Sequence, residues 1–194
     1  MAEGVADVQA GSSPPAATPL ITSAAVIGTT DSASAEALAT PGFLSASADV
    51  NAIADVAAAT GTARFVGSFS DTGELNLSFD FNSIGFPLGD GGVAGATLFI
   101  TLTSGANTLI EEVLDVSGLR EFSLVLPKGT TSTLELVLTS EASGSSGSAP
   151  SGGFNVALVD FTGAVAAVPL PSTLLLLAIG LAAAGLLIRH RARV

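Results

Sequence analysis

Residues able to do acid–base, nucleophilic or metal chemistry are few in this 194-residue chain. The only histidine, His190, stands among arginines near the C-terminus, and there is no cysteine. Upstream of it no Ser-His-Asp or Cys-His arrangement can form, and no zinc site built on histidine or thiolate. Carboxylates are what remains. Glu111, Glu112 and Asp115 cluster, and glycoside hydrolysis needs only a carboxylate pair. The solvated edge of a strand accounts for the same three residues. Leu88-Gly89-Asp90-Gly91-Gly92 offers carbonyls and one carboxylate, which makes Asp90, with Asp80 before it, the candidate Ca²⁺ ligands. A plain glycine turn is the simpler account of it. It is not a phosphate loop, because no lysine follows and no helix opens after it. Sugar-binding surfaces usually stack Trp or Tyr on the ring, and the chain has neither. The expectation is a non-enzymatic protein without cofactor or metal. A Ca²⁺- or glycan-binding module is the alternative, and a carboxylate-pair hydrolase a more distant one.

A different kind of site lies at the C-terminus. Val168-Pro169-Leu170-Pro171-Ser172-Thr173 is followed by an unbroken run of Leu, Ile, Ala and Gly from Leu174 to Ile188, then Arg189, Arg191 and Arg193. As a helix, residues 172–188 would be about 26 Å long at about 1.5 Å per residue, slightly less than a bilayer core of roughly 30 Å. Snorkelling arginines make up the difference. Ser172 and Thr173 suit the first turn, and Pro171 suits its entry because no N–H is needed there. The basic cluster predicts a cytoplasmic tail, with everything before Pro169 outside. Proline restricts itself and the residue before it, so Pro169-Leu170-Pro171 predicts extended backbone open to a protease. Gly180 and Ala184 form a small-xxx-small pair, a pattern that also arises in any helix rich in small residues.

Signature, apolar helix and arginines in this order resemble the PEP-CTERM sorting signal of bacterial surface proteins. Val168, Pro169, Pro171, Ser172 and Thr173 stand at the matching places, and Leu170 replaces the usual Glu, as in a Val-Pro-Leu-Pro variant. The resemblance covers about the last seventh of the chain. It implies an exported protein cleaved near the Pro-x-Pro by an exosortase, a membrane-embedded transpeptidase-like enzyme, and bound for the cell surface, extracellular matrix or biofilm. The partners expected are that enzyme, membrane lipid through the helix, and a glycan or surface matrix.

Residues 1–168 carry all seventeen acidic residues against Arg64, Arg120 and Lys128, a formal charge of −14. Such a surface repels nucleic acid and anionic lipid. Export calls for a basic, apolar signal peptide, yet the first eleven residues hold Glu3 and Asp7 and no basic residue. The export signal is therefore expected upstream of Met1.

The elements that must hold these residues are strands. Residues 1–41, rich in Ala, Ser, Thr, Gly and Pro, read as a flexible leader with one edge strand around Leu20–Ile27. From residue 43 the period is two. Leu44–Val56, Ala63–Ser70, Glu74–Asn82, Ala96–Thr103, Leu109–Val116, Arg120–Leu126, Thr133–Thr139 and Phe154–Phe161 read as eight strands, with loops at Gly85–Gly95 and Glu141–Gly153. Leu75, Leu77, Phe79 and Phe81 form the clearest inward face, opposite Glu74, Asn76, Ser78, Asp80 and Asn82. The fold expected is all-β, an antiparallel β-sandwich of jelly-roll type, over residues 42–162. A spacer with the Pro-x-Pro signature (163–171), a transmembrane helix (172–188) and a basic tail (189–194) complete the chain.

Overall fold

The computed structural model describes residues 2–9, 20–27, 31–53, 56–69, 73–127, 130–145 and 150–167. They form eleven strands: β1 Ala2–Gln9, β2 Leu20–Ile27, β3 Ser32–Thr40, β4 Phe43–Ala52, β5 Val56–Phe69, β6 Gly73–Leu88, β7 Val93–Ser104, β8 Asn107–Leu114, β9 Gly118–Val125, β10 Ser132–Ser145 and β11 Ser151–Ala167. Two sheets pack as a sandwich, one in the order β1-β5-β10-β7-β8 and the other β2-β3-β4-β11-β6-β9. All pairings are antiparallel except β1 with β5. From β4 onward the pairs nest: β4 with β11, β5 with β10, β6 with β9 and β7 with β8. One long ribbon thus folds back on itself and rolls up, each pair lying in the opposite sheet from the next.

The sandwich is the all-β architecture expected, and its firmest part is where the alternation is clearest. Leu75, Leu77, Phe79 and Phe81 are buried, facing Leu98, Ile100, Leu102, Leu134, Leu136 and Leu138 of the other sheet. Phe79 stacks on Phe161 at 6.5 Å and meets Phe122 edge-on at 5.9 Å. Each such side chain contributes roughly 1.5–3 kcal/mol on full burial.

Several expectations give way. The sandwich starts before residue 42: β3 lies inside the second sheet with Ala33, Ala35, Ala37 and Ala39 buried, so 32–40 is not leader. Its period of two is real, but alanine is so small that its buried face looks like bland composition. Leu20–Ile27 is an edge strand, as anticipated, and Ala2–Gln9 adds one beside β5. Residues 1, 10–19 and 28–30 of the expected leader lie outside the described residues.

Leu44–Val56 is not one strand. Leu44, Ala46, Ala48, Val50 and Ala52 are buried, whereas Val56 is exposed and the buried positions continue at Ala57 and Ala59. The change of parity marks the passage from one sheet to the other. The Gly85–Gly95 loop shrinks to a turn at residues 89–92, where Gly89 and Gly91 have positive φ (70° and 93°), a conformation glycine adopts without steric cost. β10 and β11 likewise extend into the expected Glu141–Gly153 loop. In β11 the inward residues are Asn155, Ala157, Val159 and Phe161, while Phe154 and Leu158 lie on the outer face. Pairing of Phe161 with Phe79 and of Val159 with Phe81 fixes that facing.

The expected spacer also changes. Gly163–Ala167 continues β11, paired with residues 73–77 of β6 up to Ala167 opposite Gly73. The expected helix 172–188 and tail 189–194 lie outside the described residues. Among the described residues no helix is long and apolar enough to cross a membrane.

Candidate functional site

Val168, Pro169, Leu170, Pro171, Ser172 and Thr173, with Arg189, Arg191 and Arg193, lie outside the described residues. The structure does define what they are joined to. β11 is held by β6 over residues 152–167 and by β4 over residues 151–160, and the signature begins at the residue after the strand ends.

The candidate carboxylates are dispersed. Asp80 sits on the exposed face of β6, accepts a hydrogen bond from Asn82 Nδ2 at 3.0 Å and lies opposite Asp160. Asp90 is exposed in the 89–92 turn at the far end of that strand. Glu111 and Glu112 are on β8, and Glu112 is 3.4 Å from Arg120 Nε of β9. Among the described residues no three acidic, histidine or cysteine side chains group as metal ligands would. The structure brings neither Asp80 to Asp90 nor Glu111 to Asp115 in one pocket.

Asp115 instead lines a cleft of about 520 Å³ together with Ser83, Ser117, Glu141 and Asn155. The strand plan creates this cleft. β8 accompanies β7 only as far as Leu114 opposite Leu98, and β9 accompanies β6 only as far as Gly118 opposite Phe81. Residues 115–117 cross between the sheets there. Beyond them, 82–88 of β6 and 93–97 of β7 have a strand neighbour on one side only among the described residues. Ser117 closes part of the edge: its hydroxyl accepts from Ser83 N–H at 2.8 Å and donates to the Ser83 carbonyl at 3.3 Å.

Small residues keep the cleft open. Gly85, Ala94, Gly95 and Ala96 line it where the other half of the sandwich carries Leu, Ile and Phe. Asn155 is wholly buried; its Oδ1 accepts from Ser140 Oγ at 3.0 Å, and its Nδ2 reaches Ser83 Oγ at 3.4 Å. Sequence reasoning missed Asn155, Ser83, Ser117 and Glu141. The available signal was an asparagine sharing parity with Ala157, Val159 and Phe161, visible only once the inward face of β11 is known.

The PEP-CTERM protein-sorting motif matches residues 167–192, and the chain carries this motif. It implies an exported protein, sorted by an exosortase and anchored in the membrane through its C-terminal tail. No curated protein matches the chain. Similar solved structures include the pre-peptidase C-terminal domain of a collagenase from Bacillus anthracis, 7% identical over 80% of this chain and 94% of that one, with a TM-score of 0.25. Another is PliG of Aeromonas hydrophila, a periplasmic inhibitor of g-type lysozyme, 8% identical over 82% and 99%, with a TM-score of 0.24. A third is the mitogen YPM derived from Yersinia pseudotuberculosis, 14% identical over 61% and 92%, also at 0.24. TM-scores this low carry no inference about ligands.

Proposed function

We propose that this is a non-enzymatic surface or matrix protein, a jelly-roll domain delivered by exosortase processing of its tail. The observation that carries the reading is the sorting motif at residues 167–192, which begins on the last residue of the final strand. The nested pairing of β4–β11, β5–β10, β6–β9 and β7–β8 supports the jelly-roll form. Dispersal of Asp80, Asp90 and Glu111 supports a role without catalysis. In this reading residues 172–188 span the bilayer, the domain stands outside and the Arg189, Arg191, Arg193 cluster stays in the cytoplasm.

Mass spectrometry of the mature form in a host carrying an exosortase tests it. Cleavage near Val168–Ser172 is expected. Changing Pro169 and Pro171 to Ala abolishes processing and leaves insertion intact, and changing the three arginines to Ser disturbs orientation. An intact C-terminal peptide ending in Val194 on the mature surface form would overturn the reading in favour of a simple anchor. The cleft holding Asp115 and Asn155 favours a second reading, in which the tethered domain is also a binding module.

A further inference from the structure

We infer that Asn76 is the acceptor of an N-linked oligosaccharide, attached as the chain is exported. This rests on the export reading and deepens it. Glu74-Leu75-Asn76-Leu77-Ser78 contains Asn-x-Ser with no proline at x, the acceptor pattern for N-glycosylation in exported proteins. The other asparagines, Asn51, Asn82, Asn107 and Asn155, have Ile53, Ile84, Leu109 and Ala157 where the hydroxyl residue is required. Glu74, two residues before Asn76, adds a carboxylate that a transferase can grip with a basic side chain.

The fold gives the attached sugar a place. A period of two puts Glu74, Asn76 and Ser78 on the outer face of β6, while Leu75 and Leu77 between them are buried. Asn76 is exposed, and its amide makes no hydrogen bond with another described residue. It lines a groove of about 440 Å³ with Ser78, Glu121, Ser123 and Thr162. That volume falls within the roughly 300–1,000 Å³ of small-ligand sites, so a first sugar can lie against the sheet without displacing the core. Register sets Asn76 between Ser123 of β9 and Ala164 of β11. Strand neighbours on both sides hold this backbone, so it cannot bend out of the finished sheet into an enzyme. Transfer therefore precedes folding, and folding then turns the glycan outward, at the end of the domain nearest the sorting signature.

The donor class is an oligosaccharide linked through its anomeric carbon to a lipid diphosphate. Asn76 Nδ2 forms a bond to that carbon as the carbon–oxygen bond to the diphosphate breaks. One amide proton passes to a base of the transferase, and the lipid diphosphate leaves. No electrons are exchanged with any other partner.

The full chain is exported behind a fused signal peptide in a host carrying an exosortase and a membrane oligosaccharyltransferase, shown to be active on a second exported acceptor. Mass spectrometry follows peptide 65–120, released by cleavage after Arg64 and Arg120. An oligosaccharide on Asn76 is expected in most exported molecules. It should vanish in Asn76→Gln and Ser78→Ala and persist in Ser78→Thr. Occupancy should fall roughly tenfold in Glu74→Gln, the loss of one charge-assisted hydrogen bond to the transferase. Unmodified Asn76 in the exported protein would overturn the proposal. So would sugar on this peptide that survives Asn76→Gln, which would show linkage to serine or threonine instead. Exosortase processing is read separately at the C-terminus, so either result can fail without the other.

Discussion

The two halves of the sandwich interior are built on opposite terms. One is filled by Phe, Leu and Ile around Phe79 and Phe81; the other holds Ala33, Ala35, Ala48, Val50, Ala52, Ala57, Ala59 and Ala142. Large side chains keep sheets about 10 Å apart. In the alanine half the backbones come much closer: a Cβ on Gly61 of β5 would lie 2.6 Å from the Ser47 carbonyl oxygen of β4 and 2.7 Å from that of Glu36 in β3. The first half gains its stability from apolar area. The second gains little per residue, about 0.8 kcal/mol per buried methyl, and is specified by the absence of side chains.

That contrast can be broken from either side. Phe79→Ala removes a ring in contact with Phe122 and Phe161 and should cost about 3–5 kcal/mol, read as a lower denaturation midpoint at unchanged m-value. Gly61→Leu acts by intrusion and should cost about 1–3 kcal/mol or more, since backbone on both sides must move. Ala48→Gly should cost only about 1 kcal/mol, one methyl plus the backbone entropy of glycine. An effect as large as that of Phe79→Ala would refute the division. At the small end, Arg64 and Glu135 form a half-exposed ion pair at 2.8 Å on the outer face. Arg64→Gln should change stability by less than about 1 kcal/mol, and by less still in high salt. Hydrogen exchange sharpens the picture, because amides of β3 should open at lower free energy than those of β6.

This division also explains what was legible in the sequence. Leu75, Leu77, Phe79 and Phe81 announce their face because a register slip would bury Glu74, Asn76, Ser78 and Asp80. Ala33–Ala39 obey the same period, but a methyl against a serine hydroxyl is too small a contrast to separate strand from leader. The break between β4 and β5 was hidden for that reason, since alanines continue across it. In β11 the larger side chains, Phe154 and Leu158, face out while Asn155 faces in, so size alone suggests the wrong side. The sorting motif was readable because its order of proline, apolar run and arginine is a linear pattern. The cleft was not, because it arises from two strands ending early and exists only in the assembled sheets.

One feature of β11 governs how the domain bears load. A tail held in the membrane delivers its pull to the domain through Ala167, the last residue of β11. Drag applied to the domain near the cleft, toward the opposite end of β11, runs along the strand axis. Its backbone bonds to β6, and to β4 over residues 151–160, are then strained side by side rather than opened one after another. Forced extraction is governed by the unfolding rate rather than by equilibrium stability. The domain therefore behaves as a stiff link whose resistance to being torn from the surface is set by the register of a single strand.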